Sequence, residues 1–203
     1  MKIFATSDIH GNKALIYLIH KIIEEENVDA LIIAGDITPK GFYRLSDNVL
    51  TNRFYSPFGL KNREDVLSGT PEQVKVKLDF LGYIEAPHSG CGISALKSKQ
   101  KEKLKQICEL LRTMKIPVYI LIGNDDHISD EDWGSILEDY GVFNLNSRSH
   151  RLKGLNITGF QYVLPTPWNT NNELPEDELT RLPMVVLHGG MVLIILMNCR
   201  HWF

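Results

Sequence analysis

The sequence predicts an α/β fold, and three observations carry that expectation. Three short apolar runs, Ile3-Phe4-Ala5, Ala30-Leu31-Ile32-Ile33-Ala34 and Val118-Tyr119-Ile120-Leu121-Ile122, have the length and branched composition of buried strands. Segments of helical period lie between them. Each run also stops abruptly at a glycine or turn and hands over to oxygen and nitrogen ligands, and the carboxyl ends of parallel strands line one shared crevice.

From the N-terminus, the first run leads into Asp8-Ile9-His10-Gly11-Asn12. A carboxylate and an imidazole two residues apart point to one side of an extended backbone, so both reach one cation just past the strand end. Ala14, Leu15, Leu18, Ile19, Ile22 and Ile23 then form one face of a helix, with Glu24, Glu25 and Glu26 near its end. The second run follows and ends in Gly35-Asp36, and the order strand, helix, strand fits a right-handed parallel crossover. Residues 39–94 are expected as a long insertion or lid that leaves from the crevice, punctuated by Gly41, Pro57, Gly59, Gly69, Pro71, Pro87, Gly90 and Gly92. Tyr43, Arg44, Arg53, Phe54 and Tyr55 are its candidates for phosphate or base contacts, against the plainer alternative of a solvated loop.

Leu104, Ile107, Cys108, Leu111 and Met114 mark a second amphipathic helix, which leads through Pro117 into the third run and its terminal Gly123-Asn124-Asp125-Asp126-His127. Asp130 to Tyr140 reads as a short helix capped by Ser129, with Asp132 at the third helical position. Beyond it, Val142 to Leu145, His150 to Lys153 and Asn156 to Phe160 read as short strands around turns at Gly154 and Gly159.

The residues Asp8-Ile9-His10-Gly11-Asn12, Gly35-Asp36 and Gly123-Asn124-Asp125-Asp126, in this order and each after a strand, resemble the calcineurin-like metallophosphoesterases. Met184-Val185-Val186-Leu187-His188-Gly189-Gly190 is similar to that family's fourth motif, a strand ending in a ligand histidine. Each motif alone is weak, whereas three in order and in strand context are specific. The resemblance implies a β-sandwich flanked by helices. It also implies two divalent metal ions, Mn, Fe or Zn, with Asp8 and His10 on the first, Asn124 and His188 on the second, and Asp36 bridging both. The implied reaction is hydrolysis of a phosphate ester, by a phosphatase or phosphodiesterase, with a hydroxide between the metals as nucleophile. The donor types suit that division, because a carboxylate has lone pairs for two cations and neutral imidazole suits Zn, Mn or Fe.

Two departures from the family pattern oppose that reading. Where many members carry a histidine after the motif asparagine, to protonate the leaving oxygen, this chain has Asp125. An exposed aspartate is ionised at neutral pH, so Asp125 and the nearby His127 are both candidates for the proton donor. The family's terminal Gly-His-x-His motif is missing from the atypical tail 191–203, where His201 is the one histidine. A single domain over 1–203, incomplete at its C-terminus through truncation or an altered reading frame, is the expectation. The alternative is a true terminal strand that covers the sheet, with His201 as a makeshift ligand. Lost ligands would weaken both metal sites.

Composition bounds the remaining readings. The chain has 203 residues, 43% of them hydrophobic, enough for one substantial core. A net charge of -3 and a pI near 6.2 supply no basic field for nucleic acid. Cys91, Cys108 and Cys199 show no metal or disulfide spacing and read as reduced thiols in a cytoplasmic protein. Met1-Lys2 leads straight into a strand, so no secretory signal is expected, and the broken apolar stretch from Met184 to Met197 falls short of the ~20 residues a membrane span needs. The alternating Lys97, Lys99, Lys101, Lys103 and Lys105 read as a solvated helix start. His20, His88 and His150 read as structural or surface groups, and Trp133, Trp168 and Trp202 as packing groups.

The rival to the enzyme is a phosphoesterase-fold scaffold that has lost catalysis and binds partner proteins, as the retromer's phosphoesterase-like subunit does. Asp125 and the missing terminal motif favour the scaffold. The carboxylate cluster favours the enzyme, because a scaffold has no chemical need of it.

Overall fold

The computed structural model describes residues 1–44, 54–55, 70–80, 82–86, 92–165, 172–179 and 192–196. Strand β1 (Ile3–Thr6), helix α1 (Lys13–Glu26) and strand β2 (Ala30–Ala34) open the chain. Strands β3 (Lys40–Arg44) and β4 (Phe54–Tyr55), helix α2 (Pro71–Phe80) and strand β5 (Tyr83–Ala86) follow, then helix α3 (Gly92–Arg112) and strand β6 (Val118–Leu121). Helix α4 (Asp130–Asp139), strands β7 (Phe143–Asn144), β8 (Ser149–Leu152) and β9 (Leu155–Phe160), the short helix α5 (Glu176–Leu179) and strand β10 (Val192–Leu196) complete the order.

A parallel sheet of order β1-β2-β6-β7 stands at the centre. Its register sets Thr6 beside Ile33 and Ala34 beside Leu121, so the three strands that carry the motifs finish at nearly one level. Because side chains alternate along a strand, each strand feeds two cores. Leu31, Ile33, Val118 and Ile120 pack with Ile16, Ile19 and Ile23 of α1, Leu104 and Leu111 of α3, and Trp133 and Leu137 of α4. Ala30, Ile32, Tyr119 and Leu121 face the other way, onto Leu152, Leu155 and Ile157 of a second, mixed sheet of order β10-β9-β8. The result is the expected sandwich of two sheets flanked by helices. Each fully buried aliphatic side chain stabilises it by about 1.5–3 kcal/mol.

Three expectations need correction. Gly159 lies within β9 and not at a turn. An added Cβ there would stand 2.6 Å from the Leu145 Cβ and 2.7 Å from Leu121 Cδ1, so its bareness lets the two sheets approach. On α1 the buried stripe is Ile16, Ile19 and Ile23, whereas Leu15 and Leu18 remain 39% and 51% exposed. The helix is apolar around much of its circumference, and contact with Leu31 and Ile33 decides which stripe is covered. Asn12 caps this helix by accepting from the Leu15 N–H.

The third correction concerns residues 39–94, which are not one long loop. A third sheet, β4-β3-β5, and helix α2 lie within them. Tyr43 pairs with Tyr55 and Arg44 with Phe54 across β3 and β4, while Arg53 lies outside the described residues. Helix α2 starts from a capping box: the Thr70 hydroxyl accepts from the Gln73 N–H, and the Gln73 side chain accepts from the Thr70 N–H. Val192–Leu196 pairs in parallel with Asn156–Phe160 as β10.

Among the described residues no helix is long and apolar enough to cross a membrane. Cys108 is wholly buried, and burial pushes its thiol up to about 12. An alkylating reagent is therefore expected to spare Cys108 in the native protein and modify it in denaturant, as read by peptide mass spectrometry. Native-state labelling at the rate of a free thiol would contradict this burial. Cys91 and Cys199, like Trp168 and Trp202, lie outside the described residues.

Candidate metal centre

Asp8, His10 and Asp36 meet where β1 and β2 end, and each offers a ligand atom within 4.8 Å of the other two. The backbone that presents them is not extended, contrary to the expectation for Asp8 and His10. All three residues adopt left-handed conformations, with φ of 56°, 47° and 53°. For a residue with a Cβ that region costs about 1–2 kcal/mol, and short polar side chains tolerate it best. The surrounding hydrogen bonds hold it: the Asp8 N–H donates to Gly35 O (3.2 Å), His10 N–H to Asp36 O (2.8 Å) and Gly11 N–H to Ile37 O (2.7 Å). The first two motifs are thus zipped side by side, with His10 Nε2 3.7 Å from Asp8 Oδ1.

The loop after β6 closes the site. Gly123 packs so tightly on Asp36 that a Cβ would fall 2.1 Å from both its N and its Oδ1. Asn124 and Asp125 are 2% and 5% exposed, and the Asp125 N–H donates to Asp36 Oδ1 at 2.9 Å. Asp126 is wholly buried and accepts from the Thr38 N–H (2.8 Å), Thr38 hydroxyl (2.6 Å) and Gly123 N–H (2.8 Å), with a longer contact from the Ile37 N–H (3.4 Å). Its carboxylate therefore ties the second motif to the third.

Two further residues enter the site that the sequence reading missed. Lys40 places Nζ 3.7 Å from Asp125 Oδ2. Gln100, wholly buried on α3, donates from its amide to Pro39 O and Asp125 O (2.9 Å each) and accepts from the His127 N–H at 2.8 Å. Its one sequence signal is phase, since a polar residue four positions before Leu104 falls on the buried face of its helix. The structure thus brings Asp8, His10 and Asp36 into one cluster and sets Asp125 beside it, while Asn124 is buried on the same loop as Asp125. His127 follows on the same loop, and His188 lies outside the described residues.

The profile of the family described as calcineurin-like phosphoesterase matches residues 1–202. The chain belongs to the calcineurin-like phosphoesterases. No curated protein matches it closely enough to count as a relative. Thirteen chains of solved structures match its fold. One crystal structure aligns with a TM-score of 0.60 at 13% identity, covering 96% of this phosphoesterase-family chain and 67% of its own. The protein TT1561 of Thermus thermophilus aligns with a TM-score of 0.45 at 11% identity, covering 85% and 56%. The chain thus spans about two thirds and just over half of those two solved chains, and likeness at such identity concerns the fold alone.

Within this calcineurin-like phosphoesterase chain the donor set fits a divalent cation. Two carboxylates and an imidazole are donors of the kind that hold a divalent metal ion. Among the described residues the buried side-chain polar atoms without a hydrogen-bond partner are His10 Nδ1, Asp125 Oδ1 and Trp133 Nε1, and the first two belong to this site. Burial, followed by repulsion from Asp126 and Asp125, raises the Asp36 carboxyl well above the usual aspartate range. Burial likewise raises Asp125, against the opposing pull of Lys40 and His10. Asp8 moves the other way, held low chiefly by His10. A cation would relieve the repulsion among these carboxylates.

The pH dependence follows from the sign of the Asp36 shift. Its folded form holds a proton more tightly than the unfolded chain does, so its contribution to stability is fully present below the ordinary value of 3.8. That contribution is lost as pH rises through the raised folded value. In chelator, the melting temperature is expected to fall across that window, and saturating Mn²⁺ is expected to abolish the fall by binding the ionised form. Asp8 acts with the opposite sign below 3.8. A calorimetric profile equally flat with and without the cation would contradict the assignment.

Proposed function

We propose that this chain is a catalytically impaired phosphoesterase-fold protein that holds a divalent cation on Asp8, His10 and Asp36 and serves as a scaffold for partner proteins. The observation that carries this reading is the residue in the proton donor's place, beside a donor set that forms a single cluster. Among the described residues the potential metal ligands form one three-residue cluster, and the position of the family's proton-donating histidine holds Asp125 beside Lys40. The Lys40 ammonium opposes protonation of the Asp125 carboxyl, which works against its donating a proton to a leaving oxygen. The three cysteines, with no disulfide spacing, fit a cytoplasmic protein.

One observation favours a second reading, hydrolysis of a phosphate ester by a dinuclear centre. Burial raises the Asp125 carboxyl, which is what a general acid requires. In that reading Asp36 would serve both cations, Asn124 and His188 would hold the second, and Asp125 or His127 would be the proton donor to the leaving oxygen. The bound cations would supply an activated water and charge neutralisation for the phosphoryl group. The chain's own part is to hold both, and to present Lys40 as a fixed positive charge near the crevice. The single domain would then extend over 1–203.

Metal stoichiometry after Mn²⁺ equilibration, together with hydrolysis of an aryl phosphate monoester and diester, separates the readings. One bound cation per chain, with turnover no greater than that of Asp36→Asn, supports the scaffold. Two cations with turnover that the same substitution abolishes would establish the hydrolase.

A further inference from the structure

We propose that Gln100 is a positioning residue for the candidate metal centre, acting through the Asp125 backbone to aim the Asp36 carboxylate. This rests on the reading of Asp36 as a cation ligand. Gln100 has no exposed surface, and its amide engages three backbone groups. Nε2 gives one N–H to Pro39 O and the other to Asp125 O, both at 2.9 Å, and Oε1 accepts from the His127 N–H at 2.8 Å. Pro39 belongs to the chain segment leaving Asp36, whereas Asp125 and His127 belong to the loop after β6. One side chain of α3 thus binds two motif loops together.

The consequence reaches the donor atoms. The Asp125 backbone is held on both sides: its carbonyl by Gln100, and its N–H by Asp36 Oδ1 at 2.9 Å. With that N–H fixed on Oδ1, the Asp36 carboxylate is oriented within the cluster it forms with Asp8 and His10. The partners also select the chemistry at position 100. Two carbonyls and one N–H demand two donors and one acceptor from a single planar group, which a primary amide supplies. Glutamate would face both carbonyls with a carboxylate, and methionine would take from these backbone groups the hydrogen bonds that Gln100 makes.

The test compares Gln100→Met and Gln100→Glu with Ile157→Ala, whose site is the buried core between the sheets, away from the metal centre. Calorimetric titration with Mn²⁺ is expected to show at least about tenfold weaker binding in the Gln100 variants than in the control, beyond what any difference in melting temperature explains. Equal affinity in all three would overturn the proposal. Hydrogen exchange of the Asp125 amide in metal-free protein supplies the second readout, expected to accelerate about tenfold or more in Gln100→Met and not in the control. Should the wild-type protein bind no Mn²⁺, the cation reading of Asp36 falls, and unchanged Asp125 exchange would then overturn the role of Gln100 separately. If neither variant folds, the side-chain amide protons of Gln100 in the wild-type protein decide it by NMR. Slow exchange supports the buried clasp, and exchange at the rate of an exposed amide refutes it.

Discussion

Asp36→Asn is expected to weaken divalent-cation binding by about 100-fold or more while raising the melting temperature of the metal-free protein. The two effects have one origin. Asp36 shares its crevice with Asp125 and Asp126, and their mutual repulsion, added to burial, makes the ionised carboxylate costly. Asparagine retains an oxygen to accept the Asp125 N–H, so the loop after β6 keeps its anchor. It removes the charge, and with it both the repulsion and the strongest attraction for a cation. Relief of even 1 kcal/mol corresponds to a gain of about 2–4 °C for a chain of this size. Titration calorimetry with Mn²⁺ and scanning calorimetry in chelator read the two halves. A variant that binds Mn²⁺ as tightly as the wild type would remove Asp36 from the ligand set.

Gly123→Ala is expected to destabilise the fold by about 3 kcal/mol or more and to disturb the metal centre at the same time. The added Cβ would meet the Asp36 backbone nitrogen at 2.1 Å, and backbone cannot swing aside as the end of a flexible side chain can. Either the loop after β6 or the Asp36 turn must then move, and the Asp125 N–H contact breaks with it. Gly134 supplies the control, because it lies in helix α4 and a Cβ there meets nothing closer than 3.6 Å. Gly134→Ala is expected to stabilise by up to about 1 kcal/mol. Equal midpoints in urea for Gly123→Ala and the wild type would show that the third motif does not pack on the second as described.

The parts of the fold readable from sequence are those whose pattern belongs to one element. Ile32 and Leu121 sit in runs too apolar to be anything but buried strands, and Leu104, Ile107, Cys108 and Leu111 repeat at a helical period that all four satisfy by full burial. The cap of α4 was equally local, because the Ser129 side chain meets the Asp132 N–H three residues on. The capping box of α2, Thr70-Pro71-Glu72-Gln73, was present in the letters and was hidden by neighbouring glycines and prolines that read as loop. The face of α1 was misread because burial of Ile16 over Leu15 is decided by the sheet it meets, not by the helix.

The same division runs through the metal centre. Asp8, His10 and Asp36 announced themselves by residue type and by their place after strands. What holds them did not. Asp126 accepts from Thr38, 88 residues away in sequence, and Gln100 reaches Pro39 across 61, so neither contact leaves a trace in local spacing. Lys40 is likewise ordinary in sequence and significant only through its distance to Asp125.

The left-handed turns at positions 8, 10 and 36 restrict which mutations this chain can accept cheaply. Asparagine, aspartate, histidine and glycine enter that region at the least cost, whereas a β-branched side chain would strain the backbone along with the chemistry. Exchanging aspartate for asparagine at 8 or 36 therefore abolishes a charge and leaves the turn intact. Chelation and architecture can part company in a single step, so a lineage built on this backbone can shed its ion and keep its shape.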